Sequence, residues 1–188
     1  MIKFLRDKLH GHSFSALIYT QLEPCLFWLI NGLPAFPGFF LRHLLCKFLF
    51  KELSGFVWLQ PRVEIVNANK IRCGSNVAIN TGSYINGIGG IVFGNFVLIG
   101  SNVTISSGKH PIDGDGPEIF QRQSIPSEIV IEDGVWIGAG AVIIPGIRLG
   151  RGCVVGANSV VTKSTEAYSV NAGVPARKLR SRILTQAG

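Results

Sequence analysis

The sequence predicts an all-β fold, a parallel β-helix in which short strands stack coil upon coil. The first observation is an aliphatic residue at every sixth position over one long stretch, and the second is a small or β-branched residue four places after each. An α-helix does not produce a period of six, and a half-buried flat strand alternates with a period of two. A chain that runs straight, turns and repeats would point both columns inward. The first column is Ile131, Ile137, Ile143, Leu149, Val155 and Val161, and the second is Val135, Ala141, Ile147, Cys153, Ser159 and Thr165.

The same pattern extends toward the N-terminus and assigns residues 58–165 to the β-helix. The inward positions there are Leu59, Ile65, Cys73, Ile79, Ile85, Phe93, Ile99 and Ile105. Two steps of eight predict two-residue bulges at single corners. Between Ile105 and Ile131 the step is twenty-six, so residues 106–130 contain an extruded loop. A long excursion from a rigid scaffold is where binding or chemistry is usually found.

Residues 1–57 form a separate hydrophobic segment. No charged residue lies between Glu23 and Arg42, and Pro34 and Pro37 interrupt the apolar run. Since a membrane-spanning helix needs about 20 continuous apolar residues, we expect two short helices, roughly 14–31 and 39–53. Basic residues flank them, which favours interfacial attachment to an anionic membrane. A helical cap packed on the β-helix or on a neighbouring subunit is the alternative, and a true span fits least.

Residues 166–188 form a basic tail, in which Pro175 is placed to start a short C-terminal helix. The whole chain has a formal net charge of +7, which favours anionic partners such as phosphates or acidic lipids. No nucleic-acid recognition motif accompanies this charge, so we expect no nucleic-acid partner. We expect a cytoplasmic protein, with peripheral attachment to the inner face of the cytoplasmic membrane as the further expectation.

The four cysteines and four histidines contain one strong candidate for chemistry. The cysteines lie far apart in sequence without metal-binding spacing, which predicts free and mostly buried thiols in a reducing compartment. His110 lies inside the extruded loop, whereas the other histidines are interpreted as solvated or packed residues. A neutral imidazole can take a proton from a hydroxyl at physiological pH. The loop acids form no convincing cluster with His110, so no metal is expected.

Three motifs carry a resemblance to a known family. W-I-G begins at Trp136, V-V-G-A-N-S-V-V-T-K covers residues 154–163, and A-G-V-P-A-R covers residues 172–177. Together they resemble the hexapeptide-repeat acetyltransferases, which include galactoside, maltose, nodulation-factor and xenobiotic acetyltransferases, over about residues 59–182. The N-terminal helices more loosely resemble the branch that acetylates polysaccharides and their precursors. The resemblance implies a left-handed β-helix and a homotrimer with active sites between adjacent subunits.

The resemblance also implies roles for two loop and corner residues. His110, in the segment G-K-H-P-I, matches the family's general base. Asn80 matches a family asparagine that helps to position the acceptor, and Asn86 is a rival for the same role. The alternative for Asn80 is a corner residue whose amide satisfies the turn backbone.

A second group of residues is expected to bind acetyl-CoA. Small residues at the coil corners would let the pantetheine arm lie close to the backbone, and basic residues would neutralise its phosphates. Packing on the outer face of a coil is the alternative for the tryptophan, and a solvated basic terminus for the cations. By resemblance the coenzyme-binding positions are Trp136, Gly138, Ala139, Ala157, Thr162, Lys163, Arg177 and Arg180.

The expected function is therefore an acetyl-CoA-dependent O-acetyltransferase. It would act on a sugar hydroxyl of a polysaccharide or its precursor, by direct transfer with His110 as the base. Two alternatives stay open at this point. One is the same chemistry on a soluble acceptor, such as an antibiotic, serine or a nucleotide amino sugar. The other is a non-catalytic β-helix scaffold.

Overall fold

The computed structural model describes residues 14–114 and 118–183. Most of these residues form a parallel β-helix of five complete coils, which confirms the predicted fold. Two helices cover the first coil, and an antiparallel hairpin follows the last. Neither of the described helices is long and apolar enough to cross a membrane.

Three parallel sheets form the sides of the β-helix, with strands numbered in chain order. Sheet A contains β1 (Glu52–Leu53), β4 (Ile71–Cys73), β7 (Ile91–Phe93), β12 (Ile129–Ile131) and β15 (Arg148–Leu149). Sheet B contains β2 (Val57–Leu59), β5 (Val77–Ile79), β8 (Leu98–Ile99), β13 (Trp136–Ile137), β16 (Val154–Val155), β18 (Ser169–Gly173) and β19 (Ala176–Ser181). Sheet C contains β3 (Glu64–Val66), β6 (Tyr84–Asn86), β9 (Thr104–Ser106), β14 (Val142–Ile143) and β17 (Val160–Val161).

Both predicted inward columns lie in the core. Every inward position from Leu59 to Val161 is buried, and so are the small and β-branched residues four places later, except for the half-buried Thr165. Register explains this regularity: Ile99, Ile137 and Val155 are paired directly above one another in sheet B. A period of six therefore returns an aliphatic side chain to the interior at every side of the coil.

All long insertions leave the β-helix at one corner, where sheet C passes to sheet A. The two predicted bulges occupy residues 67–70, which include the short 3₁₀ turn Ala68–Lys70, and residues 87–90. The extruded loop occupies residues 107–128 at the same corner. Because the insertions share one edge, they leave the stacking of the three sheets undisturbed.

The N-terminal segment contains helices α1 (Phe14–Asn31) and α2 (Ala35–Leu49). The bounds of α1 match the prediction, whereas α2 begins and ends earlier than residues 39–53. Pro37 is accommodated in the first turn of α2, where a missing N–H costs little. After α2, the backbone N–H of Lys51 bonds the carbonyl of Ile71, so the β-helix begins at β1, before the predicted residue 58.

Polar side chains fix the two helices to the first coil from beneath, and we call the two helices the helical layer. Arg42 donates from Nε to the carbonyl of Leu59 at 2.8 Å, and from Nη1 to the carbonyls of Ile30 and Leu33. Glu23 accepts a hydrogen bond from the backbone N–H of Ala68 at 3.0 Å.

Other contacts beneath the helical layer agree with a cap. Asn31 accepts from the Arg62 N–H and donates to the carbonyl of Val63. His43 stacks on Phe56 with ring centroids 4.3 Å apart, and burial, helped by Lys47, lowers the pKa of His43. The interpretation of His43 as a packed residue is therefore the right one.

The predicted short C-terminal helix is wrong for the residues described. Residues 169–181 form a β-hairpin instead, in which β19 pairs antiparallel with β18, and β18 pairs parallel with β16. Pro175 lies in the turn between the two strands rather than at a helix start. The open strand edge left by the last coil offers backbone hydrogen bonds, and these outweigh the helix-start preference of proline.

Candidate active site

The loop that contains His110 begins as a two-stranded ribbon. Strands β10 (Gly108–Lys109) and β11 (Ile125–Pro126) pair antiparallel, and Ser124 Oγ donates to the carbonyl of Lys109. His110 follows β10 directly. The ribbon thus extends the rigid corner outward and presents His110 beyond the wall of the β-helix.

Arg122 braces the segment that follows His110. Its Nη1 donates to the carbonyls of Pro111 and Asp113, and its Nη2 donates to the carbonyl of Gly114. Three backbone acceptors on one guanidinium fix the outgoing chain against the returning chain. The sequence analysis missed Arg122, because nothing in its spacing distinguishes it from a solvated loop residue.

The imidazole of His110 is exposed, and it makes no hydrogen bond to the residues that the structure describes. The two loop acids nearest in sequence, Asp113 and Glu118, are also exposed. An exposed imidazole at the end of a braced ribbon is accessible to an acceptor hydroxyl.

Asn80 lies at a different corner, where sheet B passes to sheet C. Its Nδ2 donates to the carbonyl of Ile99 in the next coil at 2.8 Å, and its backbone N–H bonds the same oxygen. The amide therefore does satisfy the turn backbone. The residue is half-buried.

Asn86 lies at the corner from which the extruded loop leaves. Its Oδ1 accepts from Asn67 Nδ2 at 2.9 Å and from the Ile88 N–H at 3.1 Å. Its backbone carbonyl accepts from both the N–H and the Oγ of Ser107, at the base of the loop. Asn86 thus fastens the loop base to the coil below.

His110 and Asn80 belong to different corners of the β-helix. The loop of His110 leaves where sheet C passes to sheet A, whereas Asn80 lies where sheet B passes to sheet C. Gly100 stacks on Asn80, and six residues lie between Gly100 and Ser107 at the loop base. They comprise a turn at Ser101–Asn102 and the strand β9, which is one side of the coil. In the described part of one chain, the loop of His110 and Asn80 therefore belong to two corners separated by one side of the coil.

Small residues line the corner between sheets B and C. Ala139 and Ala157 are exposed one coil apart, and the N–H of Asn158 bonds the carbonyl of Ala139. Gly138 is buried, and a Cβ there would lie 2.6 Å from the backbone nitrogen of Ala157. Close stacking thus requires Gly138, while the two alanines are small and exposed beside it.

Trp136 stands on the outer face of sheet B, between Leu98 and Val154. Its side chain is half-exposed. The structure therefore accommodates both predicted interpretations of Trp136.

Basic side chains gather around the C-terminal hairpin. Lys163, Arg177 and Lys178 line a cavity of about 160 Å³, and Lys178 pairs with Glu166. Thr162 immediately precedes Lys163 after β17, and Arg180 is an exposed residue of β19. Lys163 and Arg177 make no ion pair with the described residues, so their charges are available to an anion.

The buried cysteines are poor nucleophiles. Burial raises the pKa of Cys73 to about 12 and raises the pKa of Cys153. Burial also holds the pKa of Cys46 well above its usual value, while Cys25 is exposed on α1. A thiolate is the reactive form, so the coil cysteines do not supply one. The described residues include no group of three or more histidine, cysteine or acidic residues that could hold a metal.

Comparisons with known proteins agree with this architecture. A family model described as bacterial transferase hexapeptide (six repeats) matches residues 128–163. The chain is 35% identical over 139 residues to the galactoside O-acetyltransferase of Escherichia coli K12, a match that covers 74% of this chain and 68% of that protein. It is 35% identical over 126 residues to Escherichia coli WbbJ, whose name assigns it to lipopolysaccharide biosynthesis as an O-acetyl transferase; 63% of this chain and 64% of that protein are covered.

A solved structure extends the likeness. The hexapeptide-repeat acetyltransferase of Vibrio cholerae O1 biovar eltor, in complex with acetyl-coenzyme A, is 30% identical with a TM-score of 0.78. That match covers 92% of each chain. The chain belongs to the hexapeptide-repeat acetyltransferases, and it is therefore an acyltransferase by family.

Proposed function

We propose that this protein transfers the acetyl group of acetyl-CoA to a sugar hydroxyl of a polysaccharide or of its precursor, with His110 as the general base. The observation that carries the proposal is the exposed imidazole of His110 on a ribbon braced by Arg122. The similarity to WbbJ and to a galactoside O-acetyltransferase supports a sugar acceptor.

Transfer is direct in this mechanism. His110 takes the proton of the acceptor hydroxyl while that oxygen attacks the thioester carbonyl. The C–S bond then breaks, and the imidazolium returns its proton to the departing thiolate of coenzyme A. General-base assistance of this kind contributes about 10²–10⁴ in rate. The raised pKa of Cys73 and Cys153 supports direct transfer over an acyl-cysteine intermediate.

The complete site requires a second copy of the chain. His110 and Asn80 belong to different corners of the β-helix. The corner that carries the His110 loop in one subunit must therefore approach the Asn80 corner of another subunit, so that both side chains meet one acceptor. A homotrimer with three such contacts satisfies this requirement. In that arrangement Asn80 keeps its bond to Ile99 and offers its carbonyl oxygen to the acceptor.

The donor occupies the corner between sheets B and C. Its pantetheine arm runs beside the exposed Ala139 and Ala157, next to Gly138 and the half-exposed Trp136. Its phosphates lie at the positive hairpin, where Lys163 and Arg177 neutralise them and Thr162 and Arg180 add contacts. Hydrogen bonds from cations to phosphate are among the stronger polar contacts.

The decisive experiment compares wild type with His110→Ala, using Lys109→Ala as the matched control on the same ribbon. Acetyl transfer is followed by mass spectrometry on galactosides, maltose and isolated surface polysaccharide. Acetyl-CoA binding is measured separately by calorimetry. We expect His110→Ala to lower kcat at least a hundredfold without loss of acetyl-CoA binding, and Lys109→Ala to retain activity.

The outcomes separate the rivals. Unchanged turnover in His110→Ala would exclude His110 as the base. Acetylation of serine, an antibiotic or a nucleotide amino sugar, with no sugar polymer modified, would favour the soluble-acceptor alternative. Failure of the wild type to bind acetyl-CoA would favour a non-catalytic scaffold.

A further inference from the structure

We propose that the outer surface of the helical layer docks on an anionic lipid bilayer and lies within its interface without crossing it. Membrane docking is independent of the reaction, because no residue of this surface belongs to the candidate active site. The surface, which we call the helical face, consists of the exposed apolar side chains of Leu22, Leu26, Trp28, Leu29, Leu33, Phe36, Phe40, Leu41, Leu44 and Phe48.

The helical face is continuous along both helices. Phe36, Phe40, Leu44 and Phe48 follow one another at intervals of four, so they form one stripe along α2. Trp28, Phe36 and Phe48 are each at least 75% exposed. The stripe on α2 lies opposite the buried residues Gly38, Arg42 and Cys46, so it points away from the β-helix. Trp28 of α1 lies at the border of the face, where it also lines a cavity between α1 and residues 62–65 of the first coil.

Two charged side chains lie on the inner side of the helical layer, among buried apolar residues such as Phe27 and Cys46. Glu23 and Arg42 lie buried beneath it, bonded to the backbone of the first coil, while the aromatic side chains face outward. These bonds fix the orientation, so the helices do not rotate to hide their apolar sides. A large exposed apolar surface of this kind marks an interaction site.

A bilayer suits the helical face better than a second protein copy does. Among its exposed residues from Leu22 to Phe48, only Cys25, Trp28 and Lys47 have side chains that donate hydrogen bonds, and none is a carboxylate. Protein interfaces normally contain about ten hydrogen bonds, whereas lipid chains require none. The described helices are too short or too polar to span, so the face rests in the interface.

The charges at its border fit anionic headgroups. Lys47 and Lys51 are exposed at the end of α2, and the neighbouring acid Glu52 pairs with Arg72 of the next coil. The one acid between Leu22 and Phe48, Glu23, is buried. Basic residues near a membrane surface are attracted to acidic lipids.

The test is co-sedimentation of the full chain with phosphatidylcholine vesicles, with and without phosphatidylglycerol. The double variant Phe36→Ser/Phe48→Ser removes two outward rings, and Phe96→Ser removes an aromatic ring that is 68% exposed on the coils. We expect the wild type and Phe96→Ser to bind vesicles that contain phosphatidylglycerol. The double variant should bind at least tenfold more weakly, with its melting temperature retained because both rings are exposed.

A second measurement locates the contact. Brominated lipid should quench tryptophan emission of the wild type, and Trp28→Phe should lose most of that quenching. Absence of vesicle binding by the wild type would overturn the proposal, and so would equal loss in Phe96→Ser. A change of oligomeric state in the double variant would assign the face to a second copy instead. Equal binding to vesicles without phosphatidylglycerol would overturn the anionic specificity.

Discussion

The guanidinium of Arg122 donates a hydrogen bond of 2.8 Å to the backbone carbonyl of Asp113, across the loop that presents His110. Arg122 does not face the reacting atoms in the proposed mechanism, and it acts as a positioning residue. The conformation of the loop around His110 therefore depends on a side chain twelve residues further along the chain.

Loss of this brace should reduce turnover more than binding. We expect Arg122→Ala to lower kcat about tenfold while the KM for acetyl-CoA changes little, because misplacement of a catalytic group affects the reacting geometry. Arg122→Lys should restore only part of the rate, since an ammonium cannot serve three carbonyls in a fixed fork. Steady-state kinetics beside Arg151→Ala, a matched arginine on the coils, checks this. A rise in KM with constant kcat would contradict a positioning role.

The cations at the hairpin should act through the phosphates of the donor. We expect Lys163→Ala and Arg177→Ala each to raise the KM for acetyl-CoA about three- to tenfold, and the increase to shrink at high salt because exposed charges are screened. Repeating the assay with acetyl-dephospho-CoA provides the chemical control. If each variant raises the KM for this analogue by the same factor as it raises the KM for acetyl-CoA, the two side chains do not contact the phosphate that the analogue lacks.

Stability should follow the inward and outward alternation of the coils. Val155 is fully buried and its neighbour Val154 is half-buried on the outer face of sheet B. We expect Val155→Ala to lower the free energy of unfolding by about 2 kcal/mol, and Val154→Ala by less than about 1 kcal/mol. Denaturant unfolding of the two variants, which remove the same atoms, measures the difference. Equal losses would be inconsistent with the inward column.

Glu23 should make stability depend on pH. Burial raises the pKa of this carboxyl, and its bond from the Ala68 N–H lowers it by less. The native state thus keeps the proton at a pH where the unfolded chain has lost it. The stabilisation is fully present below the unfolded pKa of about 4.3 and is lost as the pH rises through the native value.

Glu23→Gln should remove this dependence while keeping an oxygen that accepts from Ala68. We expect the melting temperature of Glu23→Gln, relative to wild type, to rise between about pH 4 and about pH 8. Thermal melts across that range test it, with Glu64→Gln, an exposed glutamate on the first coil, as the control. A difference independent of pH would show that Glu23 titrates alike in both states.

The fold was predictable because its signal is periodic, and the errors fall where periodicity ends. Each inward residue repeats the same geometry. An error in the assumed spacing would therefore have displaced every inward position of the column, not only one. Pro175 carried only a local preference, and the pairing of β19 with β18 overrode it. The early start at β1 had the same cause, since its pairing with β4 is not encoded in residues 52–53 alone.

The sequence could nominate residue types for the candidate site, and it could not supply their geometry. His110 stood out because a long loop left a regular repeat, and the motifs suggested residues for the donor; these assignments stay predictions. The position of Asn80 on another edge, and the brace from Arg122, depend on how distant segments fold together. The outward aromatic residues of the helical layer were visible as composition, but only the buried bonds of Glu23 and Arg42 show which side faces outward.

Strand β19 affects whether another molecule can add strands to the end of the β-helix. A parallel β-helix ends in bare strand edges, and such edges invite another molecule to add on and continue into a fibril. On sheet B, β19 turns back along β18 in the opposite direction and presents the exposed cations Arg177, Lys178 and Arg180. A further parallel coil would meet a strand that runs in the opposite direction and carries positive side chains. On sheet B, the hairpin thus blocks the addition of another parallel strand.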